Sequence, residues 1–242
     1  LWGAGATGSR LVTGTTAEHE LLESALAAFT GAPSATVFSS GYLANLGAIT
    51  ALAPADTLII SDAQNHASIV DACRLARGRV VVVDHLDVEA VERVLRERIE
   101  SRALVVTESV FSVDGEAADL VALQRLCLAH HAALMIDEAH AIGVAGPGGV
   151  GLAAAHGLAA APNVVLTLTL SKSLGAQGGA VLGSTAVRQH LINTARPFIF
   201  DTGLAPASAA AARRALELLV AEPNLADQVR DRARRIAGVA RA

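Results

Sequence analysis

Ala132-Ala133-Leu134-Met135-Ile136-Asp137-Glu138-Ala139-His140 is the stretch on which the fold turns. A short apolar run with polar bounds suits a fully buried strand, and here two carboxyls and a histidine crowd its far end. The run follows Asp119–His130, whose pattern predicts a helix. The same unit recurs outward in both directions. Strands are predicted at Ala35–Phe38, Thr57–Ser61, Arg79–Asp84, Ala103–Glu108, Ala132–Asp137 and Asn163–Thr169, with shorter ones at Ala180–Gly183 and Pro197–Phe200. Helices are predicted at Leu43–Leu52, His66–Ala76, Val88–Glu100 and Ala205–Ala221. Thr15-Thr16-Ala17-Glu18 reads as a capping box that opens a further helix to about Phe29, stopped by Gly31. Alternation of this kind predicts an α/β fold, a mostly parallel sheet of about seven strands sandwiched by helices.

Composition narrows the function. Charged residues make up 17% of the 242, the formal net charge is −4, and hydrophobic residues reach 52%. Disorder is excluded, and a nucleic-acid partner is not expected, because no positive charge is available to neutralise phosphates. The arginines near the end (Arg230, Arg232, Arg234, Arg235) alternate with Asp227 and Asp231, as on a solvated helix face. Cys73 and Cys127 have neither disulfide nor metal-site spacing, so a reducing cytoplasm is expected and no structural metal. The longest uncharged runs, Gly31–Ala55 and Ala139–Ser171, are broken by Pro, Gly, Ser and Asn, so no membrane span is expected.

In open α/β sheets ligands bind beyond the carboxyl ends of the strands. Five predicted strands end in unusual polar residues. They lead into Ser39-Ser40-Gly41-Tyr42, then Asp62 to His66, then Glu108 to Gly115, then Asp137 to His140, and finally Leu170-Ser171-Lys172. Each alone has an ordinary reading: His66 as a helix cap, Asp137 as another, Lys172 as a surface lysine. Five in register with strand ends describe a binding site.

Two motifs fail on context. Gly3-Ala4-Gly5-Ala6-Thr7-Gly8 matches the dinucleotide pattern GxGxxG, but neither a strand before it nor a helix after it is predicted. The Asp137-Glu138-Ala139-His140 strand end resembles that of a helicase-type ATPase, yet no Gly-Lys pair exists anywhere to make the phosphate loop. Lysine scarcity points elsewhere. Lys172 is the only lysine in the chain and stands just past an apolar strand among glycines. An amine in such surroundings has a depressed pKa and condenses with carbonyls. A lysine to hold an aldehyde, with a strand-end Asp137 to keep a pyridine nitrogen protonated, is the pairing that pyridoxal 5′-phosphate (PLP) requires.

The residues resemble the α-oxoamine synthases of the fold-type-I PLP enzymes. The matching stretches are residues 5–23 (GATGSRLVTGTTAEHELLE), 38–46 (FSSGYLANL), 61–72 (SDAQNHASIVDA), 107–116 (TESVFSVDGE), 135–151 (MIDEAHAIGVAGPGGVG), 167–183 (TLTLSKSLGAQGGAVLG) and 196–206 (RPFIFDTGLAP). They occur in family order across nearly the whole chain. The resemblance implies that Lys172 carries the cofactor and moves the substrate's Cα proton. It implies that Asp137 pairs with the ring nitrogen, that His66 stacks on the ring, and that His140 and Ser112 hydrogen-bond around its 3′ oxygen. Gly41, Tyr42 and Thr169 would hold the phosphate, and Thr202 would reach the phosphate of a neighbouring subunit in a homodimer with shared sites. Within the family, the wording of the lysine stretch and of 196–206 points to the decarboxylating condensation of L-alanine with a pimeloyl thioester, carried by coenzyme A or an acyl-carrier protein, in biotin biosynthesis. Glycine C-acetyltransferase and 5-aminolevulinate synthase share most of these blocks, and an aminotransferase is the more remote alternative. The resemblance also implies a large domain over residues 1–222 and, over 223–242, a helical connection to a small domain. An N-terminal arm and that small domain, with the arginine that binds the amino-acid carboxylate, are expected outside these 242 residues.

Overall fold

The computed structural model describes residues 2–240. Leu1, and Arg241 and Ala242 at the end of the expected 223–242 connection, lie outside the described residues. The first helix, α1 (Ala17–Thr30), starts one residue later than the predicted capping box: the N-cap is Thr16, whose N–H donates to His19 Nδ1 at 3.1 Å. Gly31 ends it in the left-handed region (φ 76°), which costs glycine little. Alternation then follows as β1 (Ser34–Phe38), α2 (Gly41–Leu52), β2 (Thr57–Asp62), α3 (Ala67–Leu75), β3 (Arg79–Val83), α4 (Val88–Glu97) and β4 (Arg102–Glu108). It continues through α5 (Leu120–Ala129), β5 (Ala133–Asp137), a 3₁₀ turn at Pro147–Gly149, α6 (Leu152–Ala155) and β6 (Val164–Thr169). The chain ends in β7 (Gly179–Gly183), α7 (Thr185–Thr194), α8 (Arg196–Ile199), α9 (Pro206–Ala221) and α10 (Leu225–Ala240).

The strands form one seven-stranded sheet in the order β1-β7-β6-β5-β4-β2-β3. Only β7 runs against the rest: it pairs antiparallel with both β1 and β6, which makes β1 parallel to the others. Period-two alternation divides the core between the two faces. Leu58, Ile60, Val105, Leu134, Ile136, Leu166 and Leu182 pack under α1, α4, α5 and α9. Ile59, Leu104, Val106, Met135, Val165 and Val181 pack under α2, α3, α7 and α8. Both faces are covered, so the strands read as near-continuous apolar runs.

The last predicted strand is not one. Pro197–Phe200 belongs to the single helical turn α8, with Pro197 in its first turn. Proline's φ and missing N–H suit that position. A four-residue apolar run carries too little periodicity to separate helix from strand. Phe198 is nevertheless core, meeting Phe38 edge-on at 5.9 Å between centroids. No helix among the described residues is long and apolar enough to cross a membrane.

Candidate active site

The carboxyl ends of β1, β2, β4, β5 and β6 lie along one edge of the sheet, and an open cavity of about 230 Å³ stands there. Parallel pairing places Glu108 of β4 directly beside Asp137 of β5. Gly179 of β7 pairs with Thr169 on one side and Phe38 on the other, so the start of β7 closes the floor. A Cβ on Gly179 would lie 2.5 Å from Gly41 Cα, and one on Gly41 would meet Thr169 Cβ at 3.0 Å. Helix α2 is therefore seated against the sheet edge through backbone, and only glycine permits that approach.

Asp137 is buried and held on both oxygens. Oδ1 accepts the Ala139 N–H at 2.9 Å, and Oδ2 accepts from Asn45 Nδ2 at 2.7 Å. Asn45 also donates to Ser68 Oγ at 2.8 Å, while its own Oδ1 is buried without a partner. Ser68 in turn ties down the histidine: His66 Nδ1 is 2.8 Å from Ser68 Oγ and 3.2 Å from the Ser68 N–H. His66 is thus the N-cap of α3, as its ordinary reading had it, and it lines the cavity as well. Its backbone N–H donates to Glu108 Oε1 at 2.7 Å.

Lys172 lies across the cavity, with Nζ 2.6 Å from His140 Nε2. Its side chain is open at the cavity mouth, yet partial desolvation of the amine lowers its pKa, with Asp137 and Glu108 acting in the opposite sense. Burial, then the Lys172 charge, lowers the pKa of His140. Burial, then the Asp137 charge, raises Glu108 to about 7. Two carboxyls, one amine and two imidazoles share a space in which burial opposes the charge of three of them.

One end of the cavity is a helix N-terminus. Ser40 caps α2 by accepting the Leu43 N–H at 3.1 Å, which leaves the Gly41 and Tyr42 N–H groups without intrahelical acceptors. Such groups, with the helix dipole behind them, favour an anion. Thr169 Oγ1 stands beside them, 2.8 Å from Ser171 Oγ.

Seven of the nine expected site residues therefore line one cavity: Gly41, Tyr42, His66, Asp137, His140, Thr169 and Lys172. Ser112 and Thr202 do not. Phe111 is buried edge-on against His85, 4.4 Å between centroids, and Ser112 next to it faces solvent. Thr202 is exposed on the segment that bridges to Ser9. Sequence reading gave no role to Asn45, Ser68 or Glu108, although Glu108 was among its strand-end polar residues. Glu108 carried a signal, since it ends a predicted strand beside Asp137. Asn45 and Ser68 sit inside helices, where nothing marks them.

The profile of the family Aminotransferase class I and II matches residues 3–241. The chain belongs to that family. It is 60% identical over 98% of its length to the 8-amino-7-oxononanoate synthase of Mycolicibacterium vanbaalenii, and 61% identical over 99% to that of Mycolicibacterium smegmatis. In each case it covers 63% of the relative. Among solved structures it resembles a serine palmitoyltransferase variant from S. paucimobilis with bound PLP–myriocin: TM-score 0.85, 36% identity, 90% of this chain and 55% of that one. The chain has the fold-type-I architecture of these transferases and spans about three fifths of the length of its curated relatives.

Proposed function

We propose that the protein is a PLP-dependent acyltransferase that condenses L-alanine with a pimeloyl thioester, giving 8-amino-7-oxononanoate, CO₂ and the free thiol. The observation that carries this is the meeting of the chain's only lysine and a buried Asp137 in one cavity at the sheet edge. The names of the relatives at about 60% identity supply the product, and the family resemblance supplies the substrates.

The residues present fit PLP. The unpartnered N–H groups of α2, beside Thr169, suit its phosphate; the buried Asp137 suits a protonated ring nitrogen; and the orphaned Asn45 Oδ1 leaves polar capacity next to it. When bound, PLP supplies an aldehyde for the lysine amine and a ring that takes up negative charge from the amino-acid Cα. Lys172, its pKa lowered, is then the base for the alanine Cα proton and the acid that returns one to the product. Asp137 holds the proton on the ring nitrogen, and its bonds from Asn45 and Ala139 keep it aimed. His66, which lines the same cavity, would lie against the ring, and His140, 2.6 Å from Lys172 Nζ, would orient the lysine.

The reading includes a homodimer in which Thr202 serves the neighbouring site. In its favour, Thr202 is exposed, Gly203 N–H bonds Gly8 O at 2.9 Å, and Leu11, Val12 and Phe200 on these two segments are exposed. It also includes a cytoplasmic location and the role of α10 as the start of a connection to a small domain, since Ile236 and Val239 of that helix are exposed.

The test incubates the protein, loaded with PLP, with L-alanine, glycine or L-serine and a panel of acyl-CoAs. The reading expects CO₂ and free thiol in equal amounts, greatest with alanine and pimeloyl-CoA. Keto-acid formation without CO₂ would make it an aminotransferase instead.

A further inference from the structure

We propose that Glu108 is a positioning residue for this pocket, holding His66 in place through the His66 backbone N–H. The inference rests on the reading of the pocket as a PLP site. Glu108 is 1% exposed, ends β4 beside Asp137, and accepts that N–H at 2.7 Å. The bond closes a chain of contacts from one strand end to the next. Asp137 is bonded by Asn45, Asn45 by Ser68, Ser68 by the His66 ring, and the His66 backbone by Glu108. The imidazole is therefore held at its Nδ1 and, through the chain, at its own amide. A ring meant to lie against a planar ligand needs both restraints, because χ rotation and movement of the α3 N-terminus each displace it.

Nothing in this role requires the carboxyl to be charged. Its surroundings oppose the charge: burial and the Asp137 and Asp62 charges raise its pKa to about 7, while the His66 N–H and Lys172 act the other way. A glutamine offers the same acceptor oxygen without ionising, so Glu108→Gln retains the positioning bond and Glu108→Ala removes it.

The experiment measures equilibrium dialysis of PLP, hydrogen exchange of the His66 amide, and the pH dependence of that amide's proton shift in the PLP-free protein. In the wild type the amide is protected, and its shift titrates with a midpoint near 7. Glu108→Gln keeps PLP affinity within about twofold and keeps the protection, but loses the titration step. Glu108→Ala loses the protection and weakens PLP by about tenfold or more, the effect of one hydrogen bond to a charged or buried group. An Ala variant that matches the wild type overturns the inference, as does a Gln variant that loses the His66 protection. If the Ala variant does not fold, the Gln variant alone decides on the same criterion. A wild type that binds no PLP overturns the proposed function, whereas PLP binding insensitive to Glu108 overturns only the positioning role.

Discussion

Two histidine–carboxyl groups stand at this one sheet edge, and they are built in opposite ways. In the first, His85 Nδ1 meets Asp62 Oδ1 at 2.8 Å and Nε2 lies 3.3 Å from Glu116 Oε2, with Phe111 edge-on to the ring. Asp62 also accepts the Gln64 and Leu86 N–H groups, both at 2.8 Å, and the void beside it is only about 20 Å³. Burial of His85 lowers its pKa, but the pull of Asp62 and Glu116 outweighs that and raises it. In the second, burial pushes Glu108 up and Lys172 and His140 down, beside a cavity about ten times larger. The first group pairs its ring with carboxylates in a nearly closed space, although His85 Nε2 makes no hydrogen bond. In the second, burial works against the charged form of three members and the space beside them has room for a ligand, a combination expected of functional sites.

The largest effect expected from this contrast is at Asp137. Asp137→Asn removes the charge from the pocket but not the shape: the amide of Asn45, whose Oδ1 has no partner, can turn to receive the new donor. PLP should stay bound while kcat falls on the order of 10²–10³-fold. Turnover within a few-fold of wild type would reduce Asp137 to a cap for the turn at Ala139.

Next comes the pH dependence of stability. A carboxyl raised from 4.5 to about 7 favours the protonated folded protein, so its contribution is full below about pH 4.5 and is lost as pH rises through 7. Glu108→Gln should therefore be more stable than wild type above pH 7, by up to about 3 kcal/mol, with the gain gone below about pH 4.5. Denaturant titrations of both proteins across that range measure it. An equal or greater gain at low pH would contradict the account.

The carboxylate-paired group should behave in the other manner. His85→Ala loses the Asp62 bond and the Phe111 contact, and should cost about 1–3 kcal/mol with no change in PLP affinity. Because the His85 pKa is raised, its stabilisation is present below pH 6.5 and fades as pH climbs through the higher folded value. The gap between the thermal melts of wild type and variant should narrow above that point to the pH-independent loss of the Phe111 contact. A smaller effect still belongs to Glu116→Gln, whose half-exposed carboxyl should contribute at most about 0.5 kcal/mol. A loss of PLP binding in either variant would erase the distinction between the two groups.

The sheet was legible because its strands are β-branched or apolar runs separated by turns, and all seven observed strands match predicted runs to within a residue at each end. Helix α7 was not legible: Thr185–Thr194 buries only Leu191, so it has no apolar stripe to read. Pro197–Phe200 misled because a four-residue apolar run with one core residue, Phe198, reads the same in a helical turn as in a strand. In the site, Lys172 and Asp137 stood out by rarity and by position at strand ends. Asn45 and Ser68 could not stand out, because only the seating of α2 against α3 and β5 brings Asn45 to Ser68 and Asp137.

The central claim, that this cavity holds PLP through Lys172, is tested most directly by borohydride reduction of the PLP-loaded protein followed by peptide mapping. The account predicts one pyridoxyl adduct, on the peptide containing Lys172, the only lysine available. A loaded protein that yields no adduct, or one that maps to another residue, would contradict it.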